Sequence, residues 1–259
     1  MSSFDVDISD DIATVTFDRP PVNAIDRASM ADLGEIFLSF QDRKDVRAAI
    51  LTATGERAFI AGIDLRTYGH DDPEDPPVTR VLDPGSIARN AMWAITDCPV
   101  PVVAAVNGPA IGAGLAFVAC CDMIVAADNA TFGTTEINVG LLGASAHLSR
   151  LVGRYKAREM FLTGEMVPAS ELYRIGTIRA VVPHADLAGT ARELATTLAT
   201  KSPIAMRLAK EAMNRVEDLP MKDAYRIEQD YTARMQRFED AAEARAAFAE
   251  KRDPQWKWR

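Results

Sequence analysis

Cysteine is scarce, long apolar runs are absent and positive charge is in deficit, and each shortage removes a class of protein. Three cysteines in 259 residues, with Cys120 and Cys121 adjacent and all three in apolar surroundings, make no disulfide framework, and no CxxC spacing points to a metal or redox site. Reduced core thiols are expected. No stretch of about 18 apolar residues occurs, and the first ten residues are polar and acidic, without the basic and apolar regions of a leader peptide. A cytoplasmic protein with no membrane partner is expected. The formal net charge of −8 argues against nucleic acid, because neutralising phosphates takes a basic patch. There is no G-x-x-x-x-G-K-[ST] phosphate loop. Gly112-x-Gly114 falls short of a dinucleotide fingerprint because Phe117 stands where the third glycine is needed.

The chain is otherwise rich enough in apolar residues, at 48% with 25% charged, to bury a large core, and its length allows one or two domains at roughly 150 residues each. Residues Phe4–Ile8 and Ile12–Phe17 alternate apolar with polar about Asp10-Asp11, the pattern of a hairpin. Asp26 is a good N-cap for a helix to about Gln41, with Met30, Leu33, Ile36, Phe37 and Phe40 at helical spacing on its core face. Ala48–Thr52 reads as a strand, and Phe59-Ile60 opens a short one. The stretch Tyr68–Asp83 is acidic and proline-rich and reads as an irregular surface loop, or a lid that brings His70, Asp71 and Asp72 near a ligand. Ser86–Thr96 is a helix and Val102–Val106 a buried strand. Beyond Gly140 the chain is mostly helical, and Pro203 after Ser202 fits a first-turn proline. Strand and helix alternate, which favours an α/β fold.

The densest signal lies between Val102 and Gly140. The β-branched strand ends at Asn107-Gly108-Pro109. Gly112 and Gly114 then permit a tight bend into an Ala-rich helix, whose N-terminus suits a developing negative charge. Glu136, set between apolar Phe132 and Ile137, is the candidate acid/base.

These residues resemble the core of the crotonase (enoyl-CoA hydratase/isomerase) superfamily. Pro101–Asp122 is similar to P-V-I-A-A-V-N-G-x-A-x-G-G-G-x-E-x-x-x-x-C-D. Ala130, Phe132, Gly133, Glu136 and Gly140 follow A-x-F-G-x-P-E-x-x-x-G, and Ala58–Leu65 follows A-F-S-A-G-A-D-L. The likeness runs from Asn23-Ala24 to Phe248–Arg252. It implies a ββα spiral core over residues 1–195 that binds an acyl-CoA, and a C-terminal helical trimerisation segment over residues 196–259. A homotrimer or a pair of trimers is the implied assembly. It also implies that the backbone N–H groups of Ile63 and Ala113 hold a thioester oxyanion while Glu136 moves a proton. Ala24, Ala61, Gly62, Asp64, Leu65, Gly112, Gly143 and Lys251 would line the CoA-ester site. No cofactor is implied, since coenzyme A enters as part of the substrate, and no metal. Arg19, Arg57, Arg66, Lys251 and Arg252 are the cations on hand for its phosphates.

Departures from the pattern are as informative. Hydratases of the family hold one water between two glutamates, and the first of these falls at Ala116 here. The middle glycine of the run is Ala113, a mild change where a backbone N–H is used. The loop after Glu136 is shortened, lacks its proline and brings in His147, an imidazole able to act near neutral pH. A single base suffices for isomerisation. Isomerase, acyl-CoA hydrolase and C–C lyase therefore stand beside hydratase, as does a CoA-ester binding protein that has lost the chemistry. Gly143–His147 lacks the final glycine and the strand of a nucleophile elbow, which excludes a serine hydrolase.

Overall fold

The computed structural model describes residues 2–67 and 78–259. Two strands, β1 (Phe4–Ser9) and β2 (Ile12–Phe17), form the expected hairpin. Helix α1 (Arg27–Ser39) follows, capped by the Asp26 carboxylate, which accepts from the Ser29 N–H. Then come β3 (Ala48–Ala53), a short helix α2 (Val78–Leu82), α3 (Ser86–Thr96), β4 (Val102–Val106), β5 (Ala110–Ile111), α4 (Ala113–Ala119), β6 (Met123–Ala127) and β7 (Thr131–Gly133). Helices α5 (Ser145–Val152) and α6 (Arg154–Thr163), strand β8 (Val167–Pro168), α7 (Ala169–Arg174) and β9 (Ala180–Val182) lead into the last four helices. These are α8 (Leu187–Ala199), α9 (Pro203–Val216), α10 (Met221–Met235) and α11 (Glu239–Glu250).

The fold is α/β. The large sheet has the order β1-β2-β3-β4-β6-β9, parallel throughout except for the hairpin. A parallel sheet is covered on both faces, so its strands need apolar residues at every position, as in Val102–Val106, all buried. Val102, Ala104 and Val106 face a core built with Phe37, Phe117 and Phe132, while Val103 and Ala105 face a second core closed by Ala191, Ala195 and Leu198 of α8. Helices α1 and α3 cross closely at Gly34, where an added Cβ would already touch the Ala91 backbone at 3.4 Å.

Helix α9 begins as expected, with the Ser202 hydroxyl accepting from Ala205 N–H and Pro203 in the first turn. It forms a separate small core with α10 through Leu208, Ala212 and Tyr231. Two of its cations reach the sheet side. Buried Lys210 donates to the carbonyls of Ile95 (3.3 Å) and Val100 (3.1 Å) and to the Asp122 carboxylate (2.7 Å), and Arg207 donates to the carbonyls of Gln41 and Arg43.

Several expectations are corrected. Phe59-Ile60 forms no strand; only isolated pairings, Ile60 with Ala110 and Ile63 with Ile25, hold this segment. Within the expected loop Tyr68–Asp83, residues 78–82 are helical, because Val78 to Leu82 carries no proline. His70, Asp71 and Asp72 lie outside the described residues. On α11, Asp240 is fully buried although charged, and accepts the N–H groups of Lys257 and Trp258, which pins the C-terminal residues back onto the helix. A 3₁₀ turn at Glu136–Val139 and the tiny strands β5 and β8 gave no signal in the sequence.

Candidate active site

The small sheet β5-β7-β8 builds the site. β5 and β7 run parallel, with Ala110 opposite Phe132 and Ile111 opposite Gly133. The residues leaving the two strands therefore emerge side by side. From β5 the chain turns at Gly112 into α4; from β7 it passes Thr134 and Thr135 into the 3₁₀ turn that begins at Glu136. The Gly112 N–H still donates to the Gly133 carbonyl at 2.9 Å. That shared departure sets the Glu136 carboxylate against the Gly112 backbone. A Cβ at Gly112 would stand 2.0 Å from Glu136 Oε1, and one at Gly143 would stand 3.5 Å from the same atom.

Burial pushes the Glu136 carboxyl above the usual carboxylate range, offset in part by a hydrogen bond from its own backbone. Its Oε2 is buried and has no hydrogen-bond partner among the described residues. A half-buried carboxylate with an open acceptor is suited to proton transfer.

One backbone N–H follows Gly112 at the start of α4, and a second candidate lies on the segment packed against that helix start. Ala113 is the first residue of α4, whose first intrahelical bond runs from Ala116 N–H to the Gly112 carbonyl, so the Ala113 N–H has no partner within the helix. Ile63 pairs with Ile25: the Ile25 N–H donates to the Gly62 carbonyl and the Asp64 N–H to the Ile25 carbonyl, both at 2.9 Å. In such a parallel pairing the N–H of Ile63 itself points to the opposite side. Residues 60–62 press onto the start of α4: a Cβ at Gly114 would lie 2.2 Å from the Ile60 carbonyl oxygen, and one at Gly62 would lie 3.4 Å from that of Ile111. Only glycine at 114 permits that approach, which packs the segment leading to Ile63 against the start of α4.

The remaining candidates divide. Ile63 and Leu65 are exposed, as are Ile137, Val139 and Leu142 on the Glu136 side. Ala61 flanks the Ile60 pairing and is half-buried. The Ala24 carbonyl accepts from Arg19. The Asp64 side chain is buried and paired with Arg66 (2.9 Å) and Arg19 (2.8 Å), which hold its carboxyl well below the usual range and secure the segment. Lys251 caps the exposed end of α11, on a different element from those that build the cluster. Among the proposed phosphate-binding cations, Arg19 is held by Asp64 and Asp26, and Arg252 by Glu243 and Glu250. Ala116, at the place of the first hydratase glutamate, is fully buried. His147 lies half-buried on α5, where desolvation lowers its pKa and favours the neutral ring. Sequence reading missed Arg19 as a structural residue, because Asp64, which completes its set of partners, lies on a distant segment.

No helix among the described residues is long and apolar enough to cross a membrane, and none of their side chains gather into a metal-binding group.

Comparison with known proteins agrees with this geometry. The profile of the enoyl-CoA hydratase/isomerase family matches residues 7–259. The chain is 38% identical over 245 residues to a (7aS)-7a-methyl-1,5-dioxo-2,3,5,6,7,7a-hexahydro-1H-indene-carboxyl-CoA hydrolase of Rhodococcus jostii, covering 95% of this chain and 93% of the relative. It is 37% identical over 256 residues to the carnitinyl-CoA dehydratase of Escherichia coli K12, covering 96% and 95%. Among solved structures it is similar to an enoyl-CoA hydratase from Bacillus anthracis at a TM-score of 0.92 and 30% identity, covering all of both chains. A second, from Mycobacterium smegmatis, superposes at 0.90 with 33% identity and 99% coverage of each. With residues 7–259 matched by the family profile and relatives of 37–38% identity covered over 93–95% of their length, the chain belongs to the enoyl-CoA hydratase/isomerase family.

Proposed function

We propose that this protein is an acyl-CoA enzyme in which the N–H groups of Ile63 and Ala113 hold the thioester oxygen as an enolate and Glu136 alone carries the proton. The observation behind the reading is the Glu136 carboxylate, half-buried, with Oε2 unpartnered, lying against the Gly112 backbone one residue before the Ala113 donor. Glu136 takes a proton from the carbon next to the carbonyl or from its vinylogous position. The electron pair moves onto the thioester oxygen, where fixed donors stabilise it in a site that costs no reorganisation. The same carboxylic acid then returns the proton, to another carbon for double-bond migration or to a departing hydroxyl for elimination. Ala116 offers no second carboxylate to hold a water, so hydration by the two-glutamate route is not the reaction supported best. The relatives named as a dehydratase and a hydrolase are consistent with proton transfer of this kind turned to different ends.

Residues 196–259 would supply the contacts of a homotrimer or pair of trimers, with Lys251 reaching toward the coenzyme of a neighbouring subunit. The test is turnover of crotonyl-CoA, a 3-enoyl-CoA, a 3-hydroxyacyl-CoA and a cyclic acyl-CoA by the wild type, Glu136→Gln and Ala116→Glu. Isomerisation or dehydration in the wild type that disappears in Glu136→Gln, with hydration gained only in Ala116→Glu, is expected. Wild-type hydration of crotonyl-CoA at rates equal to those of Ala116→Glu would refute the single-carboxylate reading.

A further inference from the structure

The Ile63 N–H is useful as an oxyanion donor only if it is held still, yet its segment belongs to no strand. Two hydrogen bonds to Ile25 pair Ile63 itself, and the Ile60–Ala110 pairing three residues earlier is the other bridge of the segment among the described residues. What braces that pairing is a side chain from elsewhere. The Arg19 guanidinium reaches across both members: Nη1 donates to the Ala24 carbonyl at 2.5 Å and to Asp64 Oδ2 at 2.8 Å, and Nη2 pairs with Asp26 Oδ2 at 3.0 Å. Ala24 precedes Ile25 and Asp64 follows Ile63, so one planar fork bridges the two backbones beside the paired residues.

The fork is itself fixed. The Arg19 N–H donates to Asn23 Oδ1 at 2.9 Å, and the Asn23 amide donates to the carbonyls of Thr54 and Ala58 at 3.0 Å. Asp26 spends its other oxygen on the Ser29 N–H, tying the fork to the start of α1. Arg66 also binds Asp64, through Nε and Nη2 at 2.9 Å each, but its bonds go to Asp64 and not to Ala24 or Asp26, so it holds the carboxylate without bridging the Ile25–Ile63 pairing. A guanidinium is the group that can serve a carbonyl and two carboxylates in one plane; an ammonium lacks that geometry.

We infer that Arg19 is a positioning residue for the oxyanion donor Ile63, acting through Asp64 and Ala24. The inference rests on the reading above in which Ile63 N–H binds the thioester oxygen. Without the clamp, Asp64 turns outward with Arg66 and the Ile25–Ile63 pairing slides. Displacing a donor by a fraction of an ångström weakens the bond to a developing charge more than it weakens ground-state binding.

The experiment uses a chromophoric thioester, hexadienoyl-CoA, whose absorption moves to longer wavelength when its carbonyl is polarised. Binding, the spectral shift, kcat and KM are measured for wild type, Arg19→Gln, Arg19→Lys and the surface control Arg43→Gln. The proposal expects Arg19→Gln to bind the probe within about threefold of wild type, to lose at least half the shift, and to lose about 10- to 100-fold in kcat at nearly constant KM. Arg19→Lys should recover only part of both. Arg19→Gln with the full spectral shift and kcat within threefold of wild type would overturn the proposal. If Arg19→Gln does not fold, Arg19→Lys decides on the same readouts: full shift and full kcat overturn it, partial loss of both supports it. No shift in the bound wild type would instead remove the oxyanion reading itself, and with it the need for a clamp.

Discussion

Replacing Gly112 by alanine separates the placement of the Glu136 carboxylate from its chemistry. The new methyl group would be built 2.0 Å from Oε1 and 2.7 Å from Cδ, whereas ordinary contact begins at 3.4 Å. The atoms in the way are the end of a flexible side chain, so the carboxylate retreats by about 1.4 Å and the fold stays intact. A misplacement on the order of 1 Å costs about 10²-fold in an oriented reaction. The backbone adds a second cost, since Gly112 has φ +54° and ψ −110°, a conformation that charges a side-chain-bearing residue roughly 1–3 kcal/mol. For a chain of this size that is a fall in Tm of about 2–12 °C. Steady-state kinetics on the best substrate of the panel and thermal melting are the assays. A kcat lowered about 100-fold or more, with affinity for a CoA ester within a few fold, is expected. Gly143→Ala is the graded control: its methyl would stand 3.5 Å from the same oxygen, in ordinary contact, so kcat should fall by no more than about threefold. A folded Gly112→Ala enzyme with wild-type kcat would refute the idea that Glu136 works from the position it occupies.

Three further outcomes follow from the same structure. Burial raises the Glu136 pKa in the folded state, so ionising it opposes folding; the resulting stability is present below the unfolded value, about 4.3, and is lost as pH rises through the higher folded pKa. Glu136→Gln should therefore melt above wild type at pH 7 and lose that advantage in melts at pH 4; a variant less stable at pH 7 would contradict this. Lys210→Met leaves Asp122 and two carbonyls without their shared donor, a loss of about 1–3 kcal/mol for polar groups left unpaired in a part-buried site, seen as a Tm lower by roughly 2–12 °C; Lys210→Met combined with Asp122→Leu should cost less than the sum of the two single changes. Gly114→Ala should be worse for the fold than Gly112→Ala, because its methyl would meet the Ile60 backbone oxygen at 2.2 Å; soluble Gly114→Ala protein with an unchanged melt would show that residues 60–62 do not press on α4.

Much of this was written in local sequence. Continuous apolar runs such as Val102–Val106 announced a sheet buried on both faces, and Asp26, Ser202 and Pro203 announced helix starts that the structure reproduces. The turn Gly112-Ala113-Gly114 was legible because a backbone bend of that tightness needs glycine. Ala61-Gly62-Ile63 and the missing carboxylate at Ala116 were legible through the family resemblance. What sequence could not supply was adjacency between segments far apart in the chain. The parallel departure of β5 and β7 decides that Glu136 meets Gly112, and strands of two and three residues carry no periodicity to read. Burial of Asp64 and Asp240 was likewise hidden, since a carboxylate reads as solvated until its partners, Arg19 in one case and the N–H groups of Lys257 and Trp258 in the other, are placed around it. Sequence by itself determined the elements, the turns and the residue types of the site. Tertiary structure alone decided which charges leave water, because desolvation depends on the neighbours that packing brings and not on those the chain supplies.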